Sequence, residues 1–213
     1  MSNRSATTAI VLAGGRSSRF GGAKLAAELN GATVLEHAIR AVEMVAGEIV
    51  VAGGRSGLPE STVAGPIRVV IDEAAFAGPL AAFEGALRTV TSQFAIVVGG
   101  DMPGLVPAVL AAMVERLAGA DVDAVTLQEA THRQVLPLAI RVAPGRIAAA
   151  DALAAGDRSL VRFLDRVRAA ELPAAEWRAL DPAGRTLEDV DEPGDLDRLR
   201  SPEIRRPPSG GPP

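Results

Sequence analysis

The chain has no cysteine and no tyrosine, one tryptophan and two histidines. Without thiols it has no disulfide, no thiolate metal centre and no cysteine nucleophile, a composition that fits a cytoplasmic protein. His37 and His132 stand isolated in sequence. They make a poor basis for a histidine metal site or a triad and read as structural or solvated. No apolar stretch reaches the roughly 20 residues of a membrane helix. The polar opening MSNRSATT leads into only a short apolar run and carries no signal-peptide core. Positive charge is not in excess either: 22 Lys and Arg face 26 Asp and Glu, a net charge of −4. A nucleic-acid surface is therefore not expected.

What remains is a chain of 213 residues, 48 % hydrophobic, long enough for one domain with a full core. Continuous apolar runs mark buried parallel strands at Ala9 to Ala13, Glu48 to Val51, Ile67 to Ile71 and Phe94 to Val98. Helical spacing separates them: Thr33 to Ala46, a helix opened by Gly78-Pro79-Leu80 and running to Val90, and Val106 to Leu117. This alternation predicts an α/β fold, a mainly parallel sheet with helices on both faces. The second half predicts strands at Val122 to Leu127 and Val135 to Ile140. Helices are expected at Ile147 to Ala155, at Leu160 to Ala169 and in a short stretch ending at Leu199. Residues 1–200 form the expected domain. From Ser201 the tail SPEIRRPPSGGPP is rich in Pro and Gly and is expected to be disordered.

The most informative stretch is Thr8 to Leu25, TAIVLAGGRSSRFGGAKL. A buried strand runs straight into a glycine-rich loop carrying Arg16, Arg19 and Lys24. Glycines let backbone N–H groups turn toward an anion, and open α/β sheets bind ligands at the carboxyl ends of their strands. The spacing fits neither a P-loop, since Lys24 follows Ala23 and precedes Leu25, nor the G-x-G-x-x-G dinucleotide fingerprint. Asp101 follows the strand ending at Val98, within Gly99-Gly100-Asp101-Met102-Pro103, so it opens toward the same edge. It is a candidate ligand for Mg²⁺, which needs only one or two carboxylates beside phosphate oxygens and water; helix capping is its other reading.

Leu12 to Lys24 matches LAGG-x-S-x-R-x-G-x-x-K. It resembles the loop of nucleotidyltransferases, and within them most closely that of the molybdenum cofactor guanylyltransferase family. The resemblance extends over Thr8 to Leu199 and implies a Rossmann-like nucleotidyltransferase domain. It implies transfer of GMP from GTP to molybdenum-loaded molybdopterin phosphate with Mg²⁺, giving the guanine dinucleotide and pyrophosphate. It assigns catalysis to Arg19, Lys24 and Asp101, and nucleotide binding to Leu12, Ala13, Gly14, Gly15, Lys24, Asp72 and Asp101. GGDMP resembles the family's D-x-P motif, whose aspartate binds Mg²⁺. Asp72 with Gly78-Pro79-Leu80-Ala81 resembles its D…GPLAG segment, with Ala82 standing where glycine is usual. Asp72 is suited to a guanine edge, to ribose hydroxyls or to a turn. Gly78, Pro79, Leu80 and Arg158 are the acceptor-binding candidates.

The late segment Asp189-Val190-Asp191-Glu192-Pro193-Gly194-Asp195-Leu196 resembles N-(I/V)-N-T-P-E-D-L, making Asp191 a second metal candidate; helix capping explains it equally. The family's asparagine near the end of the second strand is replaced by Ala52, Gly53 and Gly54. The resemblance further implies transient contact with molybdopterin-handling proteins or recipient oxidoreductases. A cytidylyltransferase of this fold would usually read LAAG, and a sugar-phosphate nucleotidylyltransferase would continue with G-T-R. A nucleotide-binding partner protein without turnover would not need Arg19, Lys24 and Asp101 together.

Overall fold

A computed structural model describes residues 3–14, 24–53, 67–71, 78–129 and 133–200. Its first strand, β1 (Thr7–Leu12), is buried along almost its whole length. A hairpin of two short strands, β2 (Glu28–Leu29) and β3 (Ala32–Thr33), leads into helix α1 (Val34–Glu43). Thr33 and Glu36 close a reciprocal capping box at the start of that helix, satisfying donors that would otherwise lack partners. Strands β4 (Glu48–Gly53) and β5 (Ile67–Ile71), helix α2 (Pro79–Thr89), strand β6 (Phe94–Gly99) and helix α3 (Pro107–Gly119) follow. The second half contributes β7 (Ala124–Leu127), β8 (Leu138–Arg141), α4 (Val142–Ala154), α5 (Leu160–Leu164) and β9 (Ala169–Leu172). Helices α6 (Ala174–Leu180) and α7 (Pro193–Arg200) end the described chain.

Seven strands form one sheet in the order β5-β4-β1-β6-β8-β7-β9. All neighbours are parallel except β8, which is antiparallel to both β6 and β7. Side chains alternate between the two faces of a strand, and each face has its own core. Ala9, Val11, Ile96 and Val98 pack with α1, α3 and Trp177. Ile10, Val50, Ala95, Val97 and Ile140 pack with Phe83, Leu87, Ala149 and Phe163. Burial on both faces explains why these strands read as unbroken apolar runs.

Two sequence expectations about elements need correction. Helix α4 begins five residues before Ile147, at Val142. Pro144 lies in its first turn, where a missing N–H costs little, and Gly145 marks close packing: a Cβ there would lie 2.8 Å from Ile140 Cδ1. The helix expected over Leu160 to Ala169 stops at Leu164, and Ala169 opens edge strand β9 on β7. Sheet pairing overrides the helical preference of the alanines there. The β2–β3 hairpin and α6 had no recognisable signal in sequence. The expected tail, 201–213, lies outside the described residues. Among the described residues no helix is long and apolar enough to cross a membrane.

The β7–β9 edge is fastened by Arg168, which donates from Nε and Nη2 to the two oxygens of Asp123, each at 3.0 Å. The hydrogen bond from Arg168 holds the Asp123 carboxyl below the usual aspartate range, against the opposing effect of desolvation. A carboxyl that titrates lower in the folded than in the unfolded chain stabilises fully above its unfolded value, about pH 4. It loses that contribution as pH falls through the folded value. Asp123→Asn is expected to lower stability at neutral pH and to shrink the stability lost on acidification to about pH 3. Urea unfolding at the two pH values measures this, and an unchanged pH difference would contradict it.

Candidate active site

Parallel pairing sets the position of the site. Leu12 is registered against Gly99 on β6 and against Ala52 on β4, so three strands end together. Beyond those ends the backbones stay joined: Ala13 N–H donates to the Ala52 carbonyl at 2.7 Å, and Gly100 N–H to the Leu12 carbonyl at 2.9 Å. A Cβ on Gly53 would lie 2.7 Å from the Ala13 carbonyl carbon and oxygen, so β4 closes against the start of the loop as only glycine allows. At Gly14 a Cβ would meet only the Gly53 Cα at 3.8 Å, an ordinary contact. Packing within the described chain does not require glycine at position 14.

Lys24 opens a 3₁₀ turn, Lys24–Ala26, on the far side of the loop. Its Nζ donates to Asp101 Oδ2 at 2.7 Å and to Asp191 Oδ1 at 3.1 Å. The ammonium is thus shared by two carboxylates from segments that are 77 and 167 residues away in sequence. Burial works against its charge, but the hydrogen bonds and charges of Asp101 and Asp191 outweigh this and raise its pKa above the ordinary lysine value. Asp101 depends on the glycine two residues before it. A Cβ on Gly99 would stand 2.4 Å from Asp101 Oδ1, so that oxygen lies against the end of β6 while Oδ2 meets Lys24.

Asp191 reaches this point through a strap formed by the end of the described chain. Val190 N–H donates to the Asp101 carbonyl at 2.9 Å. Val190 and Leu196 share a small core with Leu29 and Val34. Arg200 Nη2 donates to the Glu28 carbonyl at 2.7 Å, tying α7 to the hairpin that follows Lys24. Asp195 Oδ2 then accepts from the Asp191 and Glu192 N–H groups, both at 2.8 Å. This is a helix-start carboxylate reaching back over its own first turn, and it fixes the backbone that carries Asp191.

Asp189 was not singled out by sequence reasoning. Its carboxyl is pushed above the usual range by desolvation, then by the charges of Asp191 and Asp101. The signal was the i, i+2 spacing of Asp189 and Asp191, which in an extended segment points both side chains the same way. Among the described residues, two carboxylates contact one ammonium, and the charge of the same lysine acts on a third, Asp189. No ready-made cage of three or more His, Cys, Asp or Glu is found among them. The hard oxygens of Asp101 and Asp191, with negative charge in excess, are nonetheless a donor set suited to Mg²⁺, which binds one or two carboxylates and completes its shell with phosphates and water.

The acceptor candidates meet at the start of α2. Gly78 has φ +97°, where a side chain would be strained, and the Leu80 N–H donates to the Arg158 carbonyl at 3.4 Å. Pro79 takes the first helical position. Leu80 corrects the expectation: the whole residue is buried beside Phe83 and serves the core. Arg158 is exposed. His37 is structural, as expected: its Nε2 donates to the Leu29 carbonyl at 2.6 Å. Gly15, Arg19, Asp72 and His132 lie outside the described residues.

Residues 9–171 match the family described as the MobA-like NTP transferase domain. A probable molybdenum cofactor guanylyltransferase of Chloroflexus aggregans is 30 % identical over 194 residues, covering 88 % of this chain and 90 % of that protein. Among solved structures, the molybdopterin-guanine dinucleotide biosynthesis protein A of Archaeoglobus fulgidus superposes with a TM-score of 0.74 at 21 % identity. The match covers 91 % of this chain and 96 % of that one. The 4-diphosphocytidyl-2C-methyl-D-erythritol synthase of Anaerococcus prevotii gives 0.66 at 17 % identity, over 93 % and 97 %. The last two likenesses concern the fold, which guanylyl and cytidylyl enzymes share. The family match and the full-length relative go further: the chain belongs to the MobA-like NTP transferases and is a nucleotidyltransferase of the molybdenum cofactor guanylyltransferase type.

Proposed function

We propose that this protein transfers GMP from GTP to the phosphate of molybdenum-loaded molybdopterin, releasing pyrophosphate. The observation that carries this reading is the convergence of Lys24, Asp101 and Asp191 at the strand ends beside the glycine-rich loop. An oxygen of the acceptor phosphate attacks the α-phosphorus in line, forming a new P–O bond as the bond to the bridging oxygen breaks. The acceptor is already ionised near neutral pH, so no residue need remove its proton. What the chain must supply is position and charge. In this reading the backbone of Leu12 to Gly15 receives the nucleotide, and Arg19 and Lys24 draw charge from the triphosphate as pyrophosphate departs. Asp101 and Asp191 hold a Mg²⁺ ion, which when bound neutralises phosphate charge. Gly78 and Pro79, with Arg158, face the acceptor.

Asp72 selects the base in this reading, accepting from the guanine N1–H and N2–H₂ edge. Cytosine would leave part of that carboxylate unpaired, at a cost of about 1–3 kcal/mol. Among the described residues a Cβ at Gly14 would meet only Gly53, which is consistent with a purine lying against the backbone. The action on molybdenum-loaded molybdopterin follows the names of the relatives. A cytoplasmic location and transient handover to recipient oxidoreductases complete the proposal.

Two kinds of measurement test it. Asp101→Ala should abolish turnover in a folded protein, and Lys24→Ala should lower the rate about 10²-fold or more at saturating GTP. Gly99→Ala should act at one remove, displacing Asp101 Oδ1 and costing about tenfold or more in rate with the fold retained. Near-normal pyrophosphate release by Asp101→Ala would refute the metal role. Competition among GTP, CTP and ATP for the wild-type protein should favour GTP by about tenfold. Preference for CTP would make the protein a cytidylyltransferase.

A further inference from the structure

Asp101 presents one oxygen outward, and Lys24 already holds it. Oδ1 sits against the end of β6, in space that a Cβ on Gly99 would enter at 2.4 Å. Oδ2 receives the Lys24 ammonium at 2.7 Å, and the same nitrogen lies 3.1 Å from Asp191 Oδ1. A divalent ion bonded at about 2.1 Å to Oδ2 would compete for that space with the ammonium and be repelled by it. Lys24 is also the cation assigned above to the triphosphate, and its four-carbon stem lets it turn from one anion to the other. We propose that Lys24 is the resident counter-ion of the Asp101–Asp191 pair in the nucleotide-free protein, and that the metal enters by exchange with it as the triphosphate takes up the ammonium.

This rests on the reading that Asp101 and Asp191 hold the metal, and it adds a binding order. Metal alone finds its carboxylates occupied. Nucleotide alone must pull Lys24 from two carboxylates, leaving them with Asp189 in a cluster short of positive charge. Each ligand removes the obstacle to the other, so their affinities are linked and by the same factor. Lysine thereby offsets part of the site's negative charge between turnovers, and a stray divalent ion does not settle there without substrate.

Mn²⁺ is the probe, with the unbound ion counted by its electron paramagnetic resonance signal in nucleotide-free protein. Lys24→Met should bind Mn²⁺ at least about tenfold more tightly than wild type, because the competing ammonium is gone. Arg116→Met removes an exposed charge from the last turn of α3, away from the carboxylates, and should change the affinity less than about twofold, since general field effects are screened. Adding Asp101→Asn to Lys24→Met should remove the gain. Equal Mn²⁺ affinity in wild type and Lys24→Met, or an equal gain from Arg116→Met, would overturn the exchange. The metal assignment itself is judged separately, with GTP present: it fails if Asp101→Asn leaves Mn²⁺ uptake by the GTP complex unchanged.

Discussion

The alignment of three parallel strand ends is the constraint on which the rest of the site depends. Leu12 stands level with Gly99 and with Ala52, so the loop after β1 and the turn after β6 leave the sheet side by side. That register is specified by hydrophobic burial on both faces, because a one-residue slip would exchange Val11 and Ile10 between two different cores. Asp101 is therefore placed by the same apolar residues that stabilise the fold. Gly53 and Gly99 add the close approach: one lets β4 press against the loop, and the other makes room for a carboxylate oxygen.

The second constraint is electrostatic and ties distant parts of the chain together. One ammonium joins the loop, the β6 turn and the final strap. Its carboxylates exceed it in charge, and burial and mutual repulsion push Asp189 upward. Such a cluster is poorly compensated by the protein alone and suits a cationic or polyphosphate-bound ligand better than a purely structural role. The strap matters as much as the loop here. Its small core with the hairpin, separate from the sheet's two main cores, and the Asp195 bracket hold Asp191 in place.

The central strands were legible because burial on two faces writes continuous apolar runs, and Asp101 was legible because it follows one of them. The chemistry of Lys24 came from a resemblance spanning the whole loop, since a lone lysine after alanine carries no local signal. The structure brings Lys24 to both Asp101 and Asp191; Arg19, Gly15 and Asp72 remain assignments from the motif. Other features could not be read ahead. Two-residue strands are too short to show a period, and β9 is built of residues whose local preference is helical. The burial of Leu80 depends on how α2 rotates against the sheet. The part played by Gly99 depends on where a carboxylate two residues later comes to rest.

The central claim is that the Asp101–Asp191 pair and the nucleotide's phosphates share one divalent ion. Pulsed electron–nuclear double resonance on Mn²⁺ bound with GTP to protein carrying ¹³C-carboxylate aspartate addresses it directly. The account predicts ³¹P and ¹³C couplings on the same ion, with the ¹³C coupling weakened in Asp101→Asn. A ³¹P coupling without any from aspartate would mean that the triphosphate alone holds the metal, and would contradict it.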